Sequence, residues 1–240
     1  MRVAVLSDIH ANLAALDAVL AAVPSVDEVW QLGDIVGYGP DPDEVVARLK
    51  EVGALGVCGN HDVAALGGPE IESFNLDARN AMLWTRATIS DETRVWLGAL
   101  PERLERVGFT MVHGSPRDPI WEYVTSTPVA RAGIGAMETQ AGLHGHTHIP
   151  IAYLEDDGRL ETMSPGAGSR IAFEGRRVLL NPGSVGQPRD GIPAASWLIL
   201  DTDDGSATWQ RTAYDVAGVQ AAMSRFNLPE RLVSRLAYGL

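Results

Sequence analysis

Apolar residues follow two rhythms along this chain. Val3 to Leu6 is a short unbroken apolar run, read as a buried strand, and it stops at the polar stretch SDIHAN. From Asn12 the spacing changes. Leu13, Leu16, Leu20 and Val23 recur at the helical interval, with Asn12 placed to cap the helix. Glu28 to Leu32 reads as a second strand that ends at Gly33-Asp34, and GYGPDP is a loop. Asp41-Pro42 opens another helix, with proline at its first position and acids in its first turn. Val45, Leu49 and Val52 line its inner face, and Gly53 closes it. Ala54 to Cys58 is a third strand, broken by GNHD. Strand, helix, strand, helix, strand is an α/β opening with parallel pairing.

Residues 64–106 read as mostly helical, with one amphipathic helix around Leu76, Leu83 and Trp84 and a second in SDETRVWLGALP. Phe109 to His113 is an apolar strand, and residues 128–140 form a short helix weakened by Gly133 and Gly135. After Ala141 the character is β, with short runs at Ile151–Leu154, Arg159–Met163, Arg170–Phe173, Val178–Asn181, Ser196–Leu200 and Ala207–Thr212. Helical patterning returns in 215–226 and 229–237. No internal repeat or low-complexity linker divides the chain, so residues 1–240 read as one domain in which two sheets share a core.

Charge narrows the function classes. The net charge of −12 comes with no basic arm or stripe, which disfavours nucleic-acid binding by phosphate neutralisation and attachment to anionic membranes. An anionic substrate would need a local positive centre, which bound metal ions supply. Cys58 is the only cysteine, so an intramolecular disulfide and a Cys-based zinc site are excluded, and its apolar neighbours read it as a small buried hydrophobe. MRVAVLSDIH turns polar too soon for a signal peptide and no apolar run reaches transmembrane length, so the expected location is the cytoplasm.

The chemistry sits where apolar strands stop. Asp8 and His10 follow the first strand, Asp34 the second, and Asn60, His61 and Asp62 the third. His113 ends FTMVH, and LHGHTHIP (143–150) carries His144, His146 and His148. In open α/β sheets ligands bind at the carboxyl ends of strands. Each residue alone has a structural explanation: a single Asp there is usually a turn former or cap, and a lone His is usually satisfied by packing. Yet five of the six histidines fall in the motifs DIH, GNHD, HG and GHTH. Asp, Asn and His donors together suit Mn, Fe, Zn or Co better than a soft Cu(I) site.

DIH (8–10), GD (33–34), GNHD (59–62), HG (113–114) and GHTH (145–148), in this order, resemble the calcineurin-like metallophosphoesterases. NPGSVGQPR (181–189) resembles a further segment of their compact bacterial and archaeal members. The resemblance implies a four-layer α/β/β/α sandwich of two mixed β-sheets flanked by helices. It implies two divalent metal ions, drawn from Mn, Fe, Zn, Co or Ni. Asp8, His10 and His148 would bind one metal, Asn60, His113 and His146 the second, and Asp34 would bridge them, its two oxygens suiting that task. A metal-bridging hydroxide would attack a phosphodiester or phosphomonoester, and protonated His61 would serve the leaving oxygen as general acid. The expected partner is a small phosphate-ester substrate.

Several residues keep two readings. His144 has no place in the family pattern and reads as a structural histidine. Asp62 either orients His61 or forms the turn. Arg189 would bind substrate phosphate, with a solvated surface arginine as the alternative, and Arg117 is a weaker candidate of the same kind. Tyr38, Phe74, Trp121 and Tyr123 would line a substrate pocket or serve the core. Ser/Thr protein phosphatases of this superfamily carry GDxxDRG where this chain has GDIVGYG. Gly37 stands in place of an Asp that supports the catalytic His, and Tyr38 in place of an Arg that grips phosphate. That puts protein-phosphatase activity in doubt and favours a small-molecule phosphoesterase. The alternative from another class is a non-catalytic scaffold of the same fold, as the small retromer subunit resembles.

Overall fold

The computed structural model describes residues 1–240, with side chains throughout apart from positions 69 and 70. The opening follows the apolar rhythm. β1 (Arg2–Leu6), α1 (Leu13–Ala22), β2 (Glu28–Gln31), α2 (Pro42–Glu51) and β3 (Leu55–Gly56) alternate, and the three strands pair in parallel. Asn12 caps α1 by accepting from the Ala15 N–H at 3.1 Å, and Pro42 begins α2. A helical stretch follows, α3 (Asn60–Ala65), α4 (Leu76–Thr88) and α5 (Asp91–Gly98), and then β4 (Arg103–Arg106) and β5 (Phe109–Val112). The rest is α6 (Thr127–Gly135), β6 (Ala141–Leu143), β7 (Ile151–Asp156), β8 (Arg159–Met163), β9 (Arg170–Ala172), β10 (Arg177–Asn181), β11 (Ala195–Asp201), β12 (Ser206–Thr212), α7 (Val216–Arg225) and α8 (Glu230–Arg235).

The strands form two six-stranded mixed sheets, ordered β3-β2-β1-β11-β12-β9 and β4-β5-β6-β10-β7-β8. Alternation along each strand assigns its two faces. Val3 and Val5 of β1, Leu198 and Leu200 of β11, and Val178 and Leu180 of β10 join Trp30, Met111 and Trp209 in the core between the sheets. The intervening Ala4, Leu6, Trp197 and Ile199 face α1, α2 and α3. On the second sheet Leu179 and Tyr153 face Ala130 and Ile134 of α6. Strands covered on both faces are apolar throughout, which is why they read as runs. Truncating one fully buried side chain such as Leu180 to Ala would cost about 2–5 kcal/mol. The layers are therefore α/β/β/α.

Three local readings change. The third strand shrinks from Ala54–Cys58 to Leu55–Gly56: the Val57 N–H makes a last bond to Gln31 O at 3.3 Å, and the Cys58 N–H turns away to Pro101 O at 3.0 Å. GNHD does not simply break a strand: Gly59 caps α3, which begins at Asn60. The helical stretch ends before residue 106, because Arg103–Arg106 pairs antiparallel with β5. Among the described residues no helix is long and apolar enough to cross a membrane.

The two sheets meet at one rim. The loops after β1 and β2 lie beside those after β5, β6 and β10, tied by backbone bonds such as Gly145 N–H to His113 O at 2.9 Å and Val185 N–H to Ser7 O at 3.0 Å.

Candidate metal centre

Those loops deliver buried polar side chains to one place. Asp8, His10, Asp34, His113, His146 and His148 are all at most a few per cent exposed. Asp8, His10, Asp34, His146 and His148 hold φ between 49° and 66°, left-handed backbone that non-glycine residues seldom adopt. Each such residue costs on the order of 1–3 kcal/mol, and such strain gathers at functional sites. Asp8 is held by Ser7, whose hydroxyl donates to its Oδ2 at 2.7 Å, and by Ser184, which donates to its main-chain carbonyl at 2.7 Å.

The donor atoms fall into two sets, Asp8, His10, Asp34 and His148 on one side and Asp34, His113 and His146 on the other; within each they lie within 4.8 Å of one another. Asn60 Oδ1 joins the second set, 3.1 Å from His113 Nε2. Asp34 belongs to both through a single oxygen. Its Oδ2 lies 3.6 Å from His10 Nε2 and 3.3 Å from His113 Nε2. Its Oδ1 accepts the His61 N–H at 2.8 Å and is committed to holding α3.

The rings show what the sets can hold. His10 Nδ1 donates to Val36 O at 3.2 Å, His113 Nδ1 to Leu32 O at 2.9 Å, His148 Nδ1 to Gln187 O at 2.6 Å, and His146 Nε2 to Trp121 O at 3.3 Å. A neutral imidazole has one N–H, so these carbonyls fix the tautomers and leave the inner nitrogens as lone pairs. Those lone pairs face each other: His10 Nε2 and His148 Nε2 are 3.2 Å apart, and His113 Nε2 and His146 Nδ1 are 3.0 Å apart. Facing lone pairs beside carboxylate oxygens require a positive charge between them. From protein groups alone, burial opposes a proton on His113, but Asp34 outweighs it and lifts the imidazole to about 9. Burial, aided by Asp34, pushes the Asp8 carboxyl up to about 7. Protons are thus the protein's own answer to a demand that cations with nitrogen and oxygen ligands would meet better. The residues fit metal.

Residues 1–205 match the calcineurin-like phosphoesterase superfamily domain. The chain belongs to that superfamily. It is 37% identical, over 99% of its length and 98% of the other's, to an uncharacterised protein of Methanocaldococcus jannaschii. It superposes on a metallophosphoesterase from Sphaerobacter thermophilus with a TM-score of 0.92 at 42% identity, covering 100% of this chain and 99% of that one. It is also 34% identical to a symmetrical bis(5′-nucleosyl)-tetraphosphatase of Nitrosococcus oceani, a match of 114 residues spanning 44% of this chain and 39% of that protein.

The other expected site residues take definite places. His61 sits beside the cluster, its ring 4.4 Å from Tyr38, 4.8 Å from Phe74 and 4.9 Å from His10. Burial holds its imidazole down at about 4, with Arg189 and His113 also lowering it against Asp34. The protein's own groups therefore disfavour the protonated form expected from the sequence. Its Nδ1 is buried with no partner among the described residues. Gly37 explains that gap: a Cβ there would fall 2.5 Å from His61 Nδ1, and its φ of +86° strains any side chain. Asp62 makes no hydrogen bond to the His61 ring. Its Oδ2 accepts the Gly59 N–H at 2.9 Å and its Oδ1 those of Ile35 and Val36 at 2.9 and 3.1 Å, so it forms the turn.

Arg189 places its guanidinium 5.8 Å from the Tyr38 ring centroid, with Nη2 donating to Gln187 Oε1 at 2.8 Å. The position that carries arginine in the protein phosphatases is thus filled by a tyrosine that an arginine from another segment covers. Arg117 is paired with Glu122 at the surface. His144 belongs to neither donor set. It is buried with Nδ1 3.4 Å from Asn181 Nδ2, and burial pushes it down to about 3. The main-chain carbonyls of Leu32, Val36, Trp121 and Gln187, which set the ring tautomers, escaped sequence reading because every residue carries a carbonyl. Gly145 had a legible signal: a Cβ there would meet Ser7 Oγ at 2.0 Å and Asp8 Oδ2 at 2.8 Å, so only glycine lets the GHTH loop close on DIH.

Proposed function

We infer that this chain is a metal-dependent phosphoesterase that hydrolyses phosphodiester or phosphomonoester bonds of small molecules. The observation that carries the reading is the pair of donor sets sharing Asp34 Oδ2, with four imidazoles turned so that bare nitrogens converge. Two divalent cations held there would supply Lewis acidity to phosphoryl oxygens and lower the pKa of water. Asp8, His10 and His148 would hold one, Asn60, His113 and His146 the other, and Asp34 both. Arg189, beside Tyr38, would neutralise phosphate, an essential task in a chain of net charge −12. His61 is assigned to the leaving oxygen, to which it gives a proton. A bound phosphate brings the negative charge that restores its proton affinity. No serine or cysteine nucleophile is required.

The partial match to a bis(5′-nucleosyl)-tetraphosphatase supports a narrower version, in which the ester carries a nucleoside. The experiment combines elemental analysis with hydrolysis of bis(p-nitrophenyl) phosphate under Mn²⁺, Zn²⁺, Co²⁺ and Ni²⁺. About two ions per chain and metal-dependent turnover are expected. A saturating stoichiometry of one would remove the dinuclear reading. Two bound ions without turnover on any mono- or diester would make the protein a scaffold.

A further inference from the structure

Two large aromatic side chains stand exposed at the edge of the metal centre. Trp121 is 37% exposed and Tyr123 is 49% exposed. Tyr123 is stacked on His146, with ring centroids 3.6 Å apart and planes 18° from parallel. One face of the phenol is thus covered by a donor of the second set, and its exposed area lies on the rest of the ring. Trp121 holds the same histidine through its carbonyl, which accepts from His146 Nε2 at 3.3 Å.

The segment that displays them is anchored. His113 and Gly114 N–H bond Pro119 O at 3.1 and 2.6 Å, and Ser115 N–H bonds Asp118 O at 2.9 Å. Ser115 Oγ accepts from the N–H groups of Arg117 and Asp118 at 3.2 and 3.1 Å and donates to Glu122 at 2.5 Å. The Trp121 N–H closes on Asp118 Oδ1 at 3.2 Å. The aromatics are therefore presented by a fixed loop, which lowers the entropy lost when a flat partner stacks on them. Neither is needed to fill the core, and Tyr123 begins where the His146 ring ends, with Trp121 two residues before it on the same anchored segment.

We propose that Trp121 and Tyr123 form a stacking platform for a nucleobase, so that the phosphoester taken at the metal centre is that of a nucleoside. The proposal rests on the phosphoesterase reading above. The phosphate lies against the donor sets, the sugar spans the rim, and the base continues the His146–Tyr123 stack outward. A base fits because it is flat, offers a π-face to each ring and keeps polar edges in solvent; an aliphatic group would gain only the burial.

The test compares two esters with the same leaving group, adenosine 5′-(p-nitrophenyl phosphate) and methyl p-nitrophenyl phosphate. Stacking of one base is expected to raise kcat/KM for the nucleoside ester by roughly 5–100-fold. Trp121→Ala and Tyr123→Ala should each shrink that ratio, in which any loss common to both esters cancels. A wild-type ratio near one, or a ratio unchanged in both variants, overturns the platform. Because Tyr123→Ala also uncovers His146, metal content is measured in every sample, and the platform is read independently from calorimetric binding of adenosine 5′-monophosphate against ribose 5-phosphate. Tighter binding of the base-bearing ligand, lost in Trp121→Ala, supports the platform even if neither ester turns over. That last result would sink the hydrolase reading alone. Equal binding of the two ligands overturns the platform.

Discussion

Asp34 divides its two oxygens between two tasks, and a substitution can separate them. In Asp34→Asn the retained Oδ1 can still accept the His61 N–H, while an NH₂ donor replaces the Oδ2 that faces His10 and His113. The folded variant should therefore lose more bound metal than Asp8→Asn, measured as ions per chain after dialysis against a buffered metal pool. Retention of both ions would show that the shared oxygen is not a ligand. His61 invites a different separation, by leaving group. His61→Ala should keep its metals and lose about 10²–10⁴-fold in kcat/KM on alkyl esters, whose alkoxide needs a proton, but far less on nitrophenyl esters. Equal losses on both would assign His61 to the phosphoryl oxygens instead. His144→Gln should change neither metal content nor turnover appreciably, since His144 lies outside both sets; loss of an ion from the folded variant would contradict that.

At the level of elements, α3 is the hinge between fold and chemistry. Six residues long, it is held to the β2 loop by Asp62, whose carboxylate accepts three buried N–H groups. Asp62→Ala leaves those donors unpaired and should cost roughly 2–5 kcal/mol in urea unfolding, with a parallel loss of activity as Asn60 and His61 lose alignment. A variant as stable as the parent would mean that water replaces the carboxylate. The same element marks the limit of sequence reading. The central strands were legible because both their faces are covered, and α1 and α2 because their apolar spacing persists over ten residues each. A six-residue helix following glycine is shorter than the window over which periodicity registers, so GNHD looked like a turn. The donor residues were legible as identities at strand ends. Their orientation was not, since it depends on backbone carbonyls and left-handed φ values. Nor did the exposure of Trp121 and Tyr123 show, because an aromatic residue reads the same in core and rim.

For the whole molecule, burial of so many imidazoles makes stability depend on pH. His10, His61, His144, His146 and His148 are all held below their usual value, first by burial. Each takes up its proton more readily unfolded than folded, so its contribution is present above pH ~6.5 and is lost as pH falls toward the lowered value. Asp8 and Asp62, both lifted to about 7 by burial, act oppositely: their contribution is full below pH ~4 and is lost as pH rises through 7. Burial raises the Asp41 carboxyl as well, and five groups outweigh three between pH 4 and 6.5, so Tm of the chelator-treated protein should climb across that window. A Tm that falls there would contradict the histidine burial. Added Mn²⁺ should raise Tm further, and more so at pH 7.5 than at pH 5, because ligation needs deprotonated donors. A metal shift independent of pH would argue that the ions bind elsewhere.

The pairing of β1 with β11, register Val3 with Leu200, also has a meaning in time. At a synthesis rate of about 5–20 residues per second, roughly 10–40 s separate the emergence of these two strands from the ribosome. During that interval β1 can pair with β2, but its other edge waits. Asp8 likewise waits for His148, for Ser184, which holds its carbonyl, and for Gln187, which aims His148. A nascent chain stalled between residues 148 and 184 would display Asp8 and His148 without Ser184 and Gln187, which hold them. A metal that needs the oriented donors would load only after Gln187 has been made, so a loaded centre would report that the chain had been synthesised at least that far.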